Sequence, residues 1–269
     1  EPWALPLQEA KLSTFLAQDQ QVREGDPEVF LSGQVTDAQS RLNLTQWLEP
    51  NDGKGPPRFS ANMQLSMSRL FGVLGLPGTE LEVMAQAWLN ATQAARQRIQ
   101  SKQPNNGFNS MASVGASSTA VLLPQQIGQL QWLGVSAETL ARLAPHVTIL
   151  PESTPLNLNT ASAEVIYASV AGLDLSSAQK FVQLRGQSHF VNLTDAAKAL
   201  GVKSLDSAQF AVGSKYFEVW GRLRLEDRTQ EETALIYRDS GNTSFVWRQK
   251  IAGILPPASQ DSLLQLVKP

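Results

Sequence analysis

Apolar positions along this chain change their period twice, and that change carries the architecture. Gln8 to Val22 repeats at helical spacing, with Leu12, Phe15 and Leu16 on one face and Asp19 interrupting the stripe. Gly25-Asp26-Pro27 ends that helix. Phe30 to Leu44 then alternates loosely around Val35 and Leu42, as one or two strands with a turn at Asp37. After a Gly- and Pro-rich loop over Asn51–Pro57, helical spacing returns in Met63–Leu74 and Thr79–Gln100. These two are joined by Gly75-Leu76-Pro77-Gly78. The second puts Leu81, Met84, Ala85, Trp88 and Leu89 on one side. Ser101–Ala120 is rich in Ser, Asn and Gly and offers little to bury, so it reads as a loop.

Short helices follow over Pro124–Leu133, Ser136–Leu143, Ala161–Val170, Ser176–Leu184 and Thr194–Leu200. From about Gln209 the period falls to two. In Tyr216–Leu225, Phe217, Val219, Leu223 and Leu225 point one way, and Glu218, Trp220, Arg222 and Arg224 the other. Thr233–Arg238 and Ser244–Lys250 flank a turn at Asp239-Ser240-Gly241-Asn242. Strands separated by a long helical block are expected to share one sheet. The fold class is therefore α+β, with a large all-helical domain inserted between the strands of an antiparallel sheet. The boundaries read as 1–60 for the N-terminal helix and first strands, 61–205 for the insert, and 206–269 for the strands that complete the sheet.

Composition limits the chemistry. With 22 Lys and Arg against 24 Asp and Glu, the net charge is −2, without the basic excess that displaces counterions from nucleic acid. No cysteine is present, which removes disulfides, thiolate metal sites and cysteine nucleophiles. No run reaches the ~20 apolar residues of a membrane span. Glu1-Pro2-Trp3 is not a natural initiator, so the chain reads as mature or trimmed, with room for an anchor upstream. His146 and His189 are the only histidines, and neither HExxH, GxSxG, a Walker loop nor GxGxxG occurs. No catalytic residue is expected. Glu49, Asp52, Glu80 and Glu82 could offer oxygens to calcium, but the acidic spacing of an EF-hand is missing. No metal ligand or cofactor is assigned.

The densest local signal is Pro155-Leu156-Asn157-Leu158-Asn159-Thr160-Ala161-Ser162, a helix start with Thr160 or Ser162 as the N-cap. Leu42-Asn43-Leu44-Thr45 echoes it. The stretch is similar to the start of the helix-hairpin-helix module of competence-type DNA receptors. The similarity continues through Ala171-Gly172-Leu173, Phe181-Val182, Leu184-Arg185-Gly186 and Leu200-Gly201-Val202. In that module, hairpin amides meet a phosphate. Here the hairpin reads Gly172-Leu173-Asp174, with a carboxylate in place of a glycine and only Lys180 and Arg185 nearby. DNA binding is the alternative function.

A second resemblance spans more of the chain. Gly33-Gln34-Val35-Thr36-Asp37-Ala38-Gln39-Ser40-Arg41-Leu42-Asn43-Leu44, Leu156–Thr160 and Ser214-Lys215-Tyr216-Phe217-Glu218-Val219 together resemble the K-type minor pseudopilins of type II secretion systems. The resemblance implies a pilin-like fold, an N-terminal helix on an antiparallel sheet, and a non-catalytic subunit. It implies partnership with the I and J minor pseudopilins at the pseudopilus tip, with the H subunit next along the fibre, and contact with secreted substrates. It also implies a periplasmic location, anchored in the inner membrane by a helix absent from this chain. Family members often carry an acidic stretch linked to calcium. The nearest match, Ala87-Trp88-Leu89-Asn90-Ala91, lacks the carboxylates, so no calcium ligand is carried over. Leu12, Phe15 and Leu16 are the candidate partner-binding residues, as an apolar stripe open to a neighbour.

Overall fold

The computed structural model describes residues 7–12, 28–49, 55–101 and 121–251. In chain order the elements are β1 (Leu7–Lys11), β2 (Val29–Asp37), β3 (Leu42–Asn43), α1 (Ala61–Val73), α2 (Gly78–Ser101), α3 (Ala137–Leu143), β4 (Val147–Thr148) and β5 (Leu156–Asn157). They continue with α4 (Ala163–Ser169), α5 (Leu175–Gln187), α6 (Leu193–Leu200), β6 (Phe210–Ala211), β7 (Tyr216–Leu225), β8 (Arg228–Asp239) and β9 (Asn242–Ile251). Two compact units result. One takes Glu1–Ala38 with Ser214–Pro269, the other Gln39–Gly213.

The first unit is a five-stranded sheet in the order β1-β2-β7-β8-β9. All its neighbours are antiparallel. The alternation in β7 has a direct consequence. Register pairs Val219 with Val35 and Ala234, and Phe217 with Ile236, so these apolar side chains share one face. The opposite face carries Trp220, Arg222 and Arg224, opposite Gln34, Ser32 and Phe30. Gly33 lies opposite Gly221, and a Cβ at Gly33 would come 2.8 Å from the Trp220 carbonyl oxygen. That approach fixes how closely β2 and β7 pair, and only glycine permits it.

Two expectations need correction here. Gln8–Lys11 is not helical: it belongs to β1, with Lys11 opposite Phe30 and Ala10 opposite Leu31. Glu9 reaches Arg224 at 2.7 Å, and Lys11 pairs with Glu28. Cross-strand partners thus override the local helical period. Leu12 follows as a helical residue, and the rest of the expected helix, including Phe15 and Leu16, lies outside the described residues. The helical unit also begins earlier and ends later than residues 61 and 205, running from Gln39 to Gly213. The cause is β3, which pairs in parallel with β4 rather than joining the sheet.

In the helical unit, α1 and α2 correspond to the two long periodic segments. Met84 and Trp88, on the expected face of α2, are buried. Trp47 lies in the same core, its ring centre 5.9 Å from Phe59 and 6.1 Å from Trp88. The segment expected as a helix from Pro124 is a 3-10 helix over Ile127–Leu133, ended by Gly134. Ser60, Ser136, Ser162, Asp174 and Asn192 cap α1, α3, α4, α5 and α6 in turn, each accepting a backbone N–H three residues on.

Candidate functional site

The two Leu-Asn-Leu stretches occupy equivalent local settings inside the helical unit. Leu42-Asn43 forms β3 against β4, and Leu156-Asn157 forms β5 against β6. Both pairs are parallel and two residues long. Asn43 Oδ1 accepts from the amides of Thr45 and Leu150 at 3.1 Å each. Its Nδ2 donates to the Glu152 carbonyl at 2.7 Å and to Thr154 Oγ1 at 3.1 Å. Every donor and acceptor site of the amide is therefore used. Asn157 Oδ1 accepts from the Asn159 amide at 3.0 Å. Asn159 in turn donates to the Phe190 and Val212 carbonyls at 2.8 and 2.9 Å and accepts from the Phe190 amide at 2.9 Å. The motif is a brace: its polar atoms face inward and tie distant loops to one core.

The N-cap of α4 is Ser162, not Thr160. Its Oγ accepts from the Val165 amide at 3.3 Å and lies 3.4 Å from His146 Nδ1. Burial holds the His146 imidazole below its usual pKa, partly offset by the Glu164 carboxylate. Val165 and Ile166 are fully buried.

The hairpin between α4 and α5 decides whether a phosphate could sit there. Gly172 turns the chain with φ +76°, a left-handed value suited to glycine. The Asp174 carboxylate then caps α5, accepting from the Ser177 amide at 2.8 Å and from the Ser176 and Ser177 hydroxyls at 2.6 and 2.8 Å. These bonds hold its carboxyl well below the ordinary carboxylate range. The position an anion would take is filled by the chain's own anion. Two nearby arginines are also committed. Arg185 donates to the Leu158 carbonyl at 2.6 Å, and burial lowers its pKa to about 10. Arg69, which the sequence pattern did not single out, lies 4.3 Å from the Tyr167 ring centre and donates to the Leu173 carbonyl at 2.6 Å. Lys180 is exposed on α5.

The remaining candidates resolve in the same way. Glu80 accepts from the Ser136 amide and hydroxyl at 3.0 and 3.1 Å, and the amide bond lowers its pKa most. Asp52 lies outside the described residues. Among the described residues, no group of three or more His, Cys, Asp or Glu is gathered as for a metal ion. On the sheet, Arg222 pairs with Glu231 at 2.6 Å with its guanidinium 5.9 Å from the Trp220 ring centre, and Arg224 stands 4.3 Å from the Phe30 ring centre. The aromatic and Arg face is therefore bonded within itself. Leu12 is half-buried.

Residues 156–215, from the brace to the residue before β7, match the family described as type II secretion system (T2SS), protein K. A curated relative, type II secretion system protein K of Pseudomonas aeruginosa, is 34% identical over 136 residues. Over this segment the chain is similar to the protein K family. That alignment takes in 49% of this chain and 40% of the relative, so the chain spans about two fifths of the relative's length. At the level of fold, this chain is similar to a chain in the crystal structure of the GspK-GspI-GspJ complex from enterotoxigenic Escherichia coli. The TM-score is 0.63 at 18% identity, over 94% of this chain and 85% of that one. The segment that carries the family signature is thus the segment built on Asn157 and Asn159.

Proposed function

We propose that this chain is a non-catalytic minor pseudopilin at the tip of the type II secretion pseudopilus. In this reading it binds the I and J minor pseudopilins, with the H subunit next along the fibre, and promotes pseudopilus assembly and protein secretion. The observation that carries the proposal is the coincidence of two independent likenesses. The protein K signature covers residues 156–215, and the fold similarity to a chain of a GspK-GspI-GspJ complex extends over 94% of the sequence. The non-catalytic part is supported by the commitments of the polar groups: Asn43, Asn159 and Arg185 bond to the chain's own backbone, and Asp174 caps its own helix. No cofactor is part of this reading.

The same proposal puts the protein in the periplasm, held to the inner membrane in its full-length form. No helix among the described residues is long and apolar enough to cross a membrane. Partner contact is assigned to Leu12, Phe15 and Leu16. Leu12 follows β1 directly, so a neighbour seated on this stripe would also meet a sheet edge.

Titration calorimetry of the chain with purified I and J subunits tests the assignment. A stable ternary complex is expected, weakened by Leu12→Glu combined with Phe15→Glu, in a variant whose circular dichroism is unchanged. Absence of association with either subunit would refute it. Binding to DNA through the α4–α5 hairpin is disfavoured by the Asp174 carboxylate at the helix start.

A further inference from the structure

The β8–β9 hairpin presents a second surface. Register puts Glu232, Ala234, Ile236 and Arg238 on one face of β8, opposite Lys250, Arg248, Phe245 and Thr243 of β9. Three cations therefore stand on this face against one carboxylate, in a chain whose overall charge is −2. Glu232 is engaged by Arg248 at 2.5 Å and lies directly opposite Lys250. Among them Phe245 is 67% exposed, with the Arg248 guanidinium 5.9 Å from its ring centre. The register slips between Leu235 and Ile236, so Val246 is an extra residue on the edge strand, and it is exposed too.

We propose that this hairpin face is a peripheral docking surface for a bilayer of anionic phospholipid. Three features favour lipid over a protein partner. The cations sit on long, flexible stems around a single aromatic ring, which suits mobile phosphate headgroups with a ring at the headgroup boundary. The bulge at Val246 breaks the row of outward backbone groups that an added strand would need. The surface charge is opposite to that of an anionic leaflet and opposite to the chain's own net charge, so attraction is local to this face. The inference stands apart from the assignment to the pseudopilus tip.

Co-sedimentation of the full chain with vesicles tests it. Binding is expected to phosphatidylcholine vesicles containing about a third phosphatidylglycerol, falling as salt rises, and not to phosphatidylcholine alone. Each cation near the surface contributes about fivefold in partition, so Arg248→Gln with Lys250→Gln should lower binding about thirtyfold. Phe245→Ser should weaken it further. Lys180→Gln with Lys203→Gln removes the same charge from exposed positions of the helical unit and should leave binding near wild type. No association with anionic vesicles would overturn the proposal, as would equal losses in the two charge variants. Capture by soluble polyglutamate without vesicle binding would also overturn it, and would identify an acidic protein as the partner instead.

Discussion

Asn43→Ala is the sharpest test of the brace. The side chain is 2% exposed and makes four hydrogen bonds. The bonds to the Leu150 amide and Thr154 Oγ1 are buried, and alanine would leave those partners without water or protein to replace them. Each such orphan costs about 1–3 kcal/mol. The bonds to the Thr45 amide and the Glu152 carbonyl are only partly buried, so water can recover some of their loss, and about 0.5–1 kcal/mol each is the reasonable share. The sum is about 3–8 kcal/mol, a large part of the roughly 5–15 kcal/mol that holds an ordinary domain together. At roughly 2–4 °C per kcal/mol for a domain of this size, Tm should fall by at least roughly 6 °C.

Urea unfolding followed by tryptophan emission suits the measurement, because Trp47 sits four residues downstream, buried against Phe59 and Trp88. A lowered midpoint with an unchanged m-value is expected. Gln46→Ala is the control, since its bond to Ser153 Oγ is exposed and should cost little. Asn43→Asp should fall between the two: it keeps both acceptor sites but sets a carboxylate against the Glu152 carbonyl. A loss under about 1 kcal/mol for Asn43→Ala, or one equal to the control, would refute the brace as a stabilising element.

Gly33→Ala should destabilise the sheet by about 1–3 kcal/mol, because its Cβ would meet the Trp220 carbonyl oxygen at 2.8 Å and backbone must move; denaturant melts of the variant check this. Asp174→Ala should speed hydrogen exchange at the Ser177 amide at neutral pH, while α4 keeps its protection; unchanged exchange at Ser177 would contradict the cap. The depressed Asp174 pKa means that its stabilisation is complete above the unfolded value and is lost only as pH falls toward the folded one, so the wild-type cap should persist near pH 4. His146 runs the other way. Its imidazole is harder to protonate folded than unfolded, so the unfolded chain takes up more protons below the ordinary histidine value of 6.5 and stability drops as pH falls through that value. Thermal melts from pH 8 to pH 5 should show the drop, and His146→Gln should flatten it.

The elements with strong local rules were readable from sequence. Strand β7 was fixed by strict alternation, and the positions of Met84 and Trp88 by helical spacing, because burial on one face leaves its period in the chain. Strand β1 was not readable. Gln8, Glu9, Ala10 and Lys11 are acceptable helix formers, and their strand state depends on Phe30, Leu31 and Arg224, which no local window contains. The boundary at Gln39 was missed for the same reason, since β3 is two residues long and its partner β4 lies more than a hundred residues away in sequence.

The Leu-Asn-Leu-Asn-Thr stretch shows why a motif can identify a family without marking its binding surface. Leu158 is buried without exposure, and Asn159 reaches the backbone at both Phe190 and Val212. Replacing Asn159 would strand part-buried backbone groups at Phe190 and Val212, and truncating Leu158 would leave a cavity in the core, so the sequence here is tightly constrained by folding alone. A contact surface such as Phe245 and Arg248 carries no comparable internal debt, because its side chains are exposed and their loss leaves the core intact. Physical constraint therefore concentrates in the brace, and recognition chemistry has to be sought where the side chains face outward.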